Sequence, residues 1–364
     1  MPEFCSVGHA FLVTNMAKRR KSKATRRRPA SSSGSARSLP AQGQLRPVSV
    51  PPEVAYARAE WVFEQHAERL ARIPGVLSVD IGLRYQAHRP TGEFALRVHV
   101  ARKLPRTQLG EQLIPSQIDG VVVDVIERSY ALSRQDPAMG FPATPAPPGA
   151  RAPWLAPEEF PEWFGTAAVA VRDVLQPEAL HVVTCAHVVA GRRHVAELDK
   201  APVAMQDANG RYIGASLPGR WYLDPALDVA LVRLDGEITD FCETLPEARS
   251  IGRLTHRDII DRIAVWKTGA QTGWSIGQVE SVRSLPIPIR MPDGSIVMAT
   301  HQIQIRAADG RRQFAAQGDS GAAILRSTPE GVPEWVAVLR AVDSRGFAIA
   351  CHAERAAARL QVVL

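Results

Sequence analysis

The chain has 364 residues, of which 45% are hydrophobic and 22% are charged, as is typical of a globular protein with more than one folded unit. No apolar run approaches the roughly 20 residues that a membrane-spanning helix requires, so an integral membrane protein is excluded. The formal net charge is +7, but residues 1–50 hold ten Lys or Arg and one acid, and the remaining chain is close to neutral. Strong charge attraction is therefore restricted to the N-terminal segment.

Residues 1–52 are predicted to form a disordered basic tail, because Ser, Arg and Pro dominate there and no apolar period is visible. The cluster Lys18–Arg28 leaves two interpretations open: a solvated tail, or a weak contact with nucleic acid or another anionic partner. The short apolar piece Ala10–Val13 precedes these charges, which is the reverse of a secretion signal. Translation from Met16 instead of Met1 is a further hypothesis.

The cysteines show no CxxC pairing that would indicate a disulfide scaffold or a zinc site, and no cofactor is predicted. The four are Cys5, Cys185, Cys242 and Cys351. Since disulfides are not expected and no signal peptide is readable, a cytoplasmic location is the expectation.

Residues 53–128 are predicted to form a small α/β domain. Apolar residues at helical spacing predict an amphipathic helix over Pro52–Arg72. The β-rich runs Val76–Leu83, Phe94–Val100 and Gly120–Ile126 predict three strands. Residues 129–160 then form a linker, because eight prolines fall within residues 133–162.

Residues 161–364 are predicted to form a mainly β domain, a sandwich or barrel, since short β-rich runs follow one another without intervening helices. The predicted strands are Ala167–Arg172, His181–Ala186, Val195–Ala204, Val229–Leu234, Arg262–Val265, Gly277–Val282, Ile296–Ile305, Ala322–Leu325, Val336–Leu339 and Phe347–Ala350. A helix over Ala353–Val362 closes the chain.

Three segments of this domain supply the groups that serine hydrolysis needs. A hydroxyl is a poor nucleophile at neutral pH, so it requires an imidazole to take its proton and a carboxylate to orient that imidazole. His187 follows the apolar run VVTCA, and Asp228 begins the apolar run DVALVRL. Ser320 lies in Gly-Asp-Ser-Gly, where glycines permit a tight turn that exposes the hydroxyl.

These segments resemble the TAAH, DIAL and GDSG blocks of the trypsin or chymotrypsin family, in the same order and with separations of 41 and 92 residues. The motif WKTGAQTG at residues 266–273 is similar to that of the narrow-leaf group of bacterial and plant members. Residues 73–126 resemble that group as well. The resemblance implies a double β-barrel with His187, Asp228 and Ser320 as catalytic triad.

Further roles follow from the resemblance alone. It implies an oxyanion hole formed by the backbone N–H groups of Gly318 and Ser320. Asp319 pairs in the family with a new N-terminus, but no Ile-Val-Gly-Gly sequence occurs near Gly165. Either another cation satisfies this carboxylate or activation differs.

The substrate pocket is assigned by the same resemblance to Phe314, Arg340 and Val342. Phe314 replaces the carboxylate that binds basic side chains, and Val342 narrows the wall, so a preference for small apolar P1 residues is expected.

The predicted function is a serine endopeptidase that acts on protein or peptide substrates through an acyl-enzyme intermediate. The alternative is a binding or adaptor protein that has kept the fold with little or no activity, because a fold does not imply a function. Assembly into a homo-oligomer is left open.

Overall fold

A computed structural model describes residues 50–87, 89–110, 113–132, 153–235, 238–291, 294–308 and 313–364. The predicted basic tail up to residue 49 and the linker residues 133–152 lie outside the described residues. The described residues, all of which lie at or after residue 50, form one compact unit. None of the described helices is long and apolar enough to cross a membrane.

The N-terminal part is a helix packed on a four-stranded sheet of order β1-β2-β4-β3. Its helix buries Tyr56, Val62 and Leu70 against the sheet, which confirms the predicted amphipathic helix. The elements up to residue 132 are α1 (Pro52–Ala71), β1 (Val76–Gln86), β2 (Arg89–Val100), β3 (Gln117–Ile118), β4 (Val121–Glu127) and β5 (Tyr130–Leu132).

A first barrel-like sheet follows, with strand order β22-β8-β9-β12-β11-β10-β6-β7. Side chains such as Val182, Met205 and Val232 fill its core. Its elements, with the short ones that follow, are β6 (Trp154–Pro157), β7 (Gly165–Thr166), β8 (Ala170–Asp173), β9 (Gln176–Thr184), α2 (Ala186–Ala190), β10 (Val203–Gln206), β11 (Tyr212–Leu223), β12 (Asp228–Leu234), α3 (Thr239–Cys242), β13 (Ser250–Ile251) and α4 (His256–Ile260).

The second sheet has the order β17-β16-β5-β20-β19-β14-β15-β18-β21, and pairing of β20 with β21 closes its last six strands into a barrel. The remaining elements are β14 (Ala264–Gly269), β15 (Gly273–Ser281), β16 (Ile287–Arg290), β17 (Ile296–Ala299), β18 (Ile303–Ala307), β19 (Ala323–Ser327), β20 (Pro333–Asp343), β21 (Ala348–His352), α5 (Ala353–Leu360) and β22 (Val362–Val363). The predicted class, mainly β with two barrels, is confirmed.

An ionic cluster lies between the N-terminal sheet and the second barrel. The guanidinium of Arg97 on β2 donates to both carboxylate oxygens of Asp80 at 2.7 and 2.6 Å and to Glu280 of β15 at 2.7 Å. The Arg97 and Asp80 side chains are fully buried. Because one unpaired charge here would be costly, the cluster fixes how the N-terminal sheet meets the barrel.

Two of the longer predicted strands are interrupted in the structure. Val195–Ala204 is not one strand, because residues 195–199 form a 3-10 helix in which Leu198 enters the core and the ring of His194 accepts from Ala196 N–H. Ile296–Ile305 is split into β17 and β18 by a turn at His301, whose φ is +55°. Alternating apolar residues do not mark these breaks, since buried turns and strands use the same residue types.

Candidate active site

His187 and Asp228 are brought together by neighbouring strands of the first barrel. His187 lies in α2, directly after β9, and Asp228 begins β12, which pairs with β9. The Nδ1–H of His187 donates to Oδ2 of Asp228 at 2.6 Å, and its backbone N–H donates to Oδ1 at 3.2 Å. A carboxylate can only accept, so Nδ1 carries the proton and Nε2 is left unprotonated. Nε2 is buried and has no hydrogen-bond partner in the part of the chain that the structure describes.

The environment keeps Asp228 ionised. Burial alone would raise the pKa of its carboxyl, but the attraction of His187 and of the Arg340 guanidinium outweighs burial and lowers that pKa below its usual value. Just before the strand, the Asp224 carboxylate accepts from the N–H groups of Ala226 and Leu227, which sets the turn that delivers Asp228.

Ser320 lies in a tight turn between two glycines in the left-handed region, Gly318 with φ +94° and Gly321 with φ +93°. The turn is tied to its surroundings by Thr166, whose N–H donates to Ser320 O at 2.7 Å and whose hydroxyl donates to Gly318 O at 3.0 Å. The hydroxyl of Ser320 donates to the carbonyl of Arg340 at 3.3 Å. In this resting arrangement no hydrogen bond joins Ser320 to His187.

The two predicted oxyanion donors lie in this turn. Among the described residues, neither the N–H of Gly318 nor that of Ser320 donates to a protein acceptor. Only glycine fits at residue 318, since a Cβ would lie 2.6 Å from Cε2 of Phe164. The backbone of this loop is therefore set by sterics and long-range hydrogen bonds.

The cation that satisfies Asp319 is Lys267. Its ammonium lies 2.9 Å from Oδ2 of Asp319, and both side chains are fully buried. The N–H groups of Gln271 and Thr272 donate to Oδ1 at 2.9 and 3.0 Å, and the Thr272 hydroxyl donates to Oδ2 at 2.6 Å. Burial lowers the pKa of Lys267, and Asp319 opposes that change. The signal in the sequence was Lys267 within the 266–273 motif, but its partner was not predicted.

The three predicted pocket residues lie in different environments. Phe314 is fully buried in the second barrel, with its ring 5.6 Å from the Lys267 ammonium. Arg340 is also fully buried, but its guanidinium faces the first barrel and donates to the carbonyls of Asp224 and Pro225 at 3.2 Å. Its Nε lies 3.7 Å from Oδ2 of Asp228, a contact that the sequence did not predict.

Val342, the third of these residues, pairs with Ala131 of β5. It is half-buried and packs against the core of the second barrel.

A cleft of about 580 Å³ opens beside His187. Its walls combine apolar and basic groups, among them Trp221, Leu223, Met291 and Arg192. The Arg192 guanidinium is paired with Glu162 at 2.9 Å, so its charge is partly balanced. The cleft therefore places an apolar surface next to His187.

Cys185 comes close enough to this pair to form a metal-ligand set on distance alone, since its sulfur and ligand atoms of His187 and Asp228 all lie within 4.8 Å of one another. Burial raises the pKa of the Cys185 thiol well above its usual value, and the thiol donates to the carbonyl of Leu339 at 3.1 Å. A metal prefers the thiolate, which this environment disfavours. The three residues therefore suit proton transfer better than metal binding.

Comparison with known proteins assigns this sequence to a family. The family model of trypsin matches residues 167–352, about half of the chain, and the match includes all three residues of the predicted triad. No curated protein matches. Many solved structures match, and among them are a glutamic acid-specific serine protease described as using a histidine triad in substrate binding and the chymotrypsin of Cellulomonas bogoriensis.

The first of these is 14% identical, with a TM-score of 0.38, over 58% of this chain and 97% of that one. The second is 15% identical, with a TM-score of 0.33, over 55% of this chain and 89% of that one. The narrow-leaf resemblance stays a prediction. From the match over residues 167–352, the chain belongs to the trypsin family.

Proposed function

We propose that this chain is a serine endopeptidase in which Ser320 is the nucleophile, His187 the general base and Asp228 the carboxylate that orients the imidazole. The observation that carries the proposal is the 2.6 Å bond from Nδ1 of His187 to a buried carboxylate, with Nε2 left without a partner among the described residues. That bond holds the tautomer whose Nε2 accepts a proton, and it stabilises the imidazolium that forms.

The reaction proceeds by acyl transfer. Oγ of Ser320 attacks the peptide carbonyl carbon while its proton passes to Nε2 of His187, and the carbonyl oxygen becomes an oxyanion. The N–H groups of Gly318 and Ser320 stabilise that charge, and each donor of this kind is worth about 10²- to 10³-fold in rate. His187 then protonates the leaving amine, and water hydrolyses the acyl-enzyme by the same steps in reverse order.

Before attack, the hydroxyl of Ser320 has to leave the carbonyl of Arg340 and donate to His187. Catalytic hydrogen bonds are often long or misaligned without substrate and tighten in the Michaelis complex. The resting bond at 3.3 Å is weak by the standards of hydroxyl donors, so its exchange for a bond to His187 costs little.

We assign the enzyme a preference for small apolar P1 residues. The support is that Phe314 presents no carboxylate to a basic side chain and is itself buried in the barrel core. Its N–H donates to Gly346 O at 3.2 Å and its carbonyl accepts from the Ser275 hydroxyl at 2.8 Å, which holds the residue in place. Peptides with Ala or Val at P1 should be cleaved faster than matched peptides with Arg or Lys.

A fluorophosphonate probe tests the proposal directly, because it forms a covalent bond only with an activated serine. The wild-type chain should be labelled, Ser320→Ala should not be labelled, and His187→Ala should be labelled far more slowly. Ser216→Ala removes another buried serine and should leave labelling unchanged. A folded wild-type chain that is neither labelled nor active on a broad peptide library, and that stays inert in the Ala131→Pro variant described below, would support the adaptor alternative instead.

A further inference from the structure

From Arg340 onward, strand β20 runs away from Ser320, the proposed nucleophile. Its residue Arg340 offers the carbonyl that accepts the Ser320 hydroxyl, and the strand continues from there through Asp343. An extended peptide that pairs with the side of this strand in antiparallel direction runs toward Ser320, and it advances by about 3.3 Å per residue. Adding a strand in this way is a common means of binding a peptide without regard to most of its side chains.

In the structure, that side of β20 is already paired with another strand of the same chain. Strand β5 pairs with β20 in antiparallel direction, with Tyr130 opposite Asp343, Ala131 opposite Val342 and Leu132 opposite Ala341. From Tyr130 to Leu132, β5 therefore advances toward the strand position that contacts Ser320. Its direction is the one that a bound peptide would have.

We infer that β5 is an autoinhibitory strand, which occupies the peptide-binding side of β20 and must leave it before a protein substrate can bind. This inference rests on the proposed function, because it assigns the regulation of the same site. The backbone N–H and C=O groups on one side of β20 can pair with only one strand at a time, so β5 and a substrate peptide compete for them. The resting hydroxyl of Ser320, bonded to Arg340 and not to His187, fits an enzyme that waits for this exchange.

The N-terminal end of β5 is firmly held. The Tyr130 hydroxyl is hydrogen-bonded to Nδ1 of the buried His99. The backbone N–H of Ser344 donates to Ser129 O at 2.9 Å, and the hydroxyl of Ser344 accepts from the Ser129 N–H at 3.1 Å. Displacement is therefore expected to begin at Leu132, the end next to Ser320.

Arg128, two residues before Tyr130, adds a buried ionic contact. Its guanidinium donates to Oε1 of Gln304 at 2.6 Å and lies 3.4 Å from Oδ2 of Asp343. The same group stacks over the ring of Phe347 at 4.4 Å. These contacts tie β5 to β18 and to the end of β20, so the N-terminal part of the chain holds the strand in place.

On its other side β5 pairs in parallel with β16, where Arg290 lies opposite Ala131. The N–H of Ala131 therefore points at one of two neighbouring strands. Ala131→Pro removes that donor whichever strand it faces, and proline is poorly tolerated inside a sheet. The variant should loosen β5 and leaves His187, Asp228 and Ser320 unchanged.

The test compares full-length wild type with Ala131→Pro by the rate of fluorophosphonate labelling of Ser320 and of peptide cleavage. We expect both rates to rise at least tenfold in Ala131→Pro. Val363→Pro places the same residue at an exposed position in the edge strand β22 of the first barrel and should leave the rates unchanged. Equal rates in wild type and a folded Ala131→Pro would overturn the inference.

A milder variant covers the case in which Ala131→Pro does not fold. Tyr130→Phe removes only the hydroxyl bonded to His99 and keeps every backbone group of β5. It should raise both rates in the same direction but by less, about twofold to fivefold. No change in a folded Tyr130→Phe would contradict the role assigned to this anchor.

A binding measurement separates this inference from the proposed function. In the Ser320→Ala background, which needs no catalysis, a fluorescein-labelled Arg-Ser-Tyr-Ala-Leu peptide with the sequence of residues 128–132 is titrated and its anisotropy followed. Binding that is at least tenfold tighter in Ser320→Ala/Ala131→Pro than in Ser320→Ala supports the inference even if no variant shows activity. The same affinity in both chains would mean that β5 is a permanent wall of the site.

Discussion

The ammonium of Lys267 and the carboxylate of Asp319, the residue directly before Ser320, form a fully buried ion pair with a 2.9 Å separation. Asp319 also accepts from three N–H groups, those of Gln271, Thr272 and Ala316. A carboxylate held on so many sides fixes the turn that carries Ser320, the proposed nucleophile. The cation comes from within the barrel, so this part of the site is organised without a newly released N-terminus.

Loss of this cation should be severe. In Lys267→Met, Asp319 becomes an unpaired buried charge, and we expect the free energy of unfolding to fall by about 3–5 kcal/mol, measured by urea denaturation. Labelling of Ser320 should be lost in any molecules that remain folded. The double variant Lys267→Met/Asp319→Asn removes both charges and should recover part of the stability. A double variant that is no more stable than Lys267→Met would contradict the ion-pair interpretation.

Asp228→Asn tests the orientation of the base. The amide cannot hold the tautomer that leaves Nε2 of His187 free, so we expect kcat to fall about 10⁴-fold while the fold is kept. The change is measured as kcat for cleavage of a peptide substrate. Ala131→Pro serves as the reference, and Ala131→Pro/Asp228→Asn is compared with it. Asp235→Asn removes a carboxylate paired with Arg233 outside the site and should have no effect on kcat. A comparable fall in kcat for Asp228→Asn and Asp235→Asn would contradict the role assigned to Asp228.

Gly318→Ala tests the oxyanion turn. Residue 318 has φ +94°, and a Cβ there would lie 2.6 Å from Phe164, so the turn must shift and move the N–H donors. We expect kcat to fall by about 10²-fold or more. Gly331→Ala has a similar φ of +79° with no atom within 4 Å of the added Cβ, and it isolates the cost of the backbone conformation alone. The kcat of Gly331→Ala should equal that of the unsubstituted chain. A similar fall in kcat for Gly318→Ala and Gly331→Ala would contradict the role assigned to the turn at Gly318.

The free energy of unfolding should fall as the pH is lowered, because His352 takes up a proton more readily in the unfolded chain than in the folded one. Burial, together with Arg253, Arg355 and His301, lowers the pKa of His352 from 6.5 to about 4. Between these values the unfolded chain binds a proton that the folded chain does not, so stability is lost as the pH falls from about 6.5 to 4, by about 3 kcal/mol at most.

Urea unfolding at a series of pH values checks this expectation. In His352→Gln the slope of unfolding free energy against pH over that range should become shallower by the contribution of one proton. At pH 8 the two chains should differ only through packing. Identical slopes between pH 4 and 6.5 would show that another group is responsible.

Much of the fold could be predicted from local pattern. The helix over residues 52–71 and strands such as Val229–Leu234 follow from apolar spacing, and the structure confirms them with shifts of a residue or two. The 3-10 helix at Val195–Asp199 was not predictable, because a buried Leu198 fits a turn as well as a strand. The short strand β5 was also missed, since three residues carry too little periodicity to be recognised.

The mainly β class, the trypsin family and the three segments that contain His187, Asp228 and Ser320 could be inferred from the residues alone. These depend on residues that are close together in the chain: an apolar strand, its end, and a glycine turn. Three contacts are visible only in the folded molecule: Lys267 neutralises Asp319, Arg340 faces Asp228, and β5 pairs with β20. Such pairs are joined across 52 to more than 200 residues of chain, where local propensity holds no information and the packing of the two barrels selects the partners.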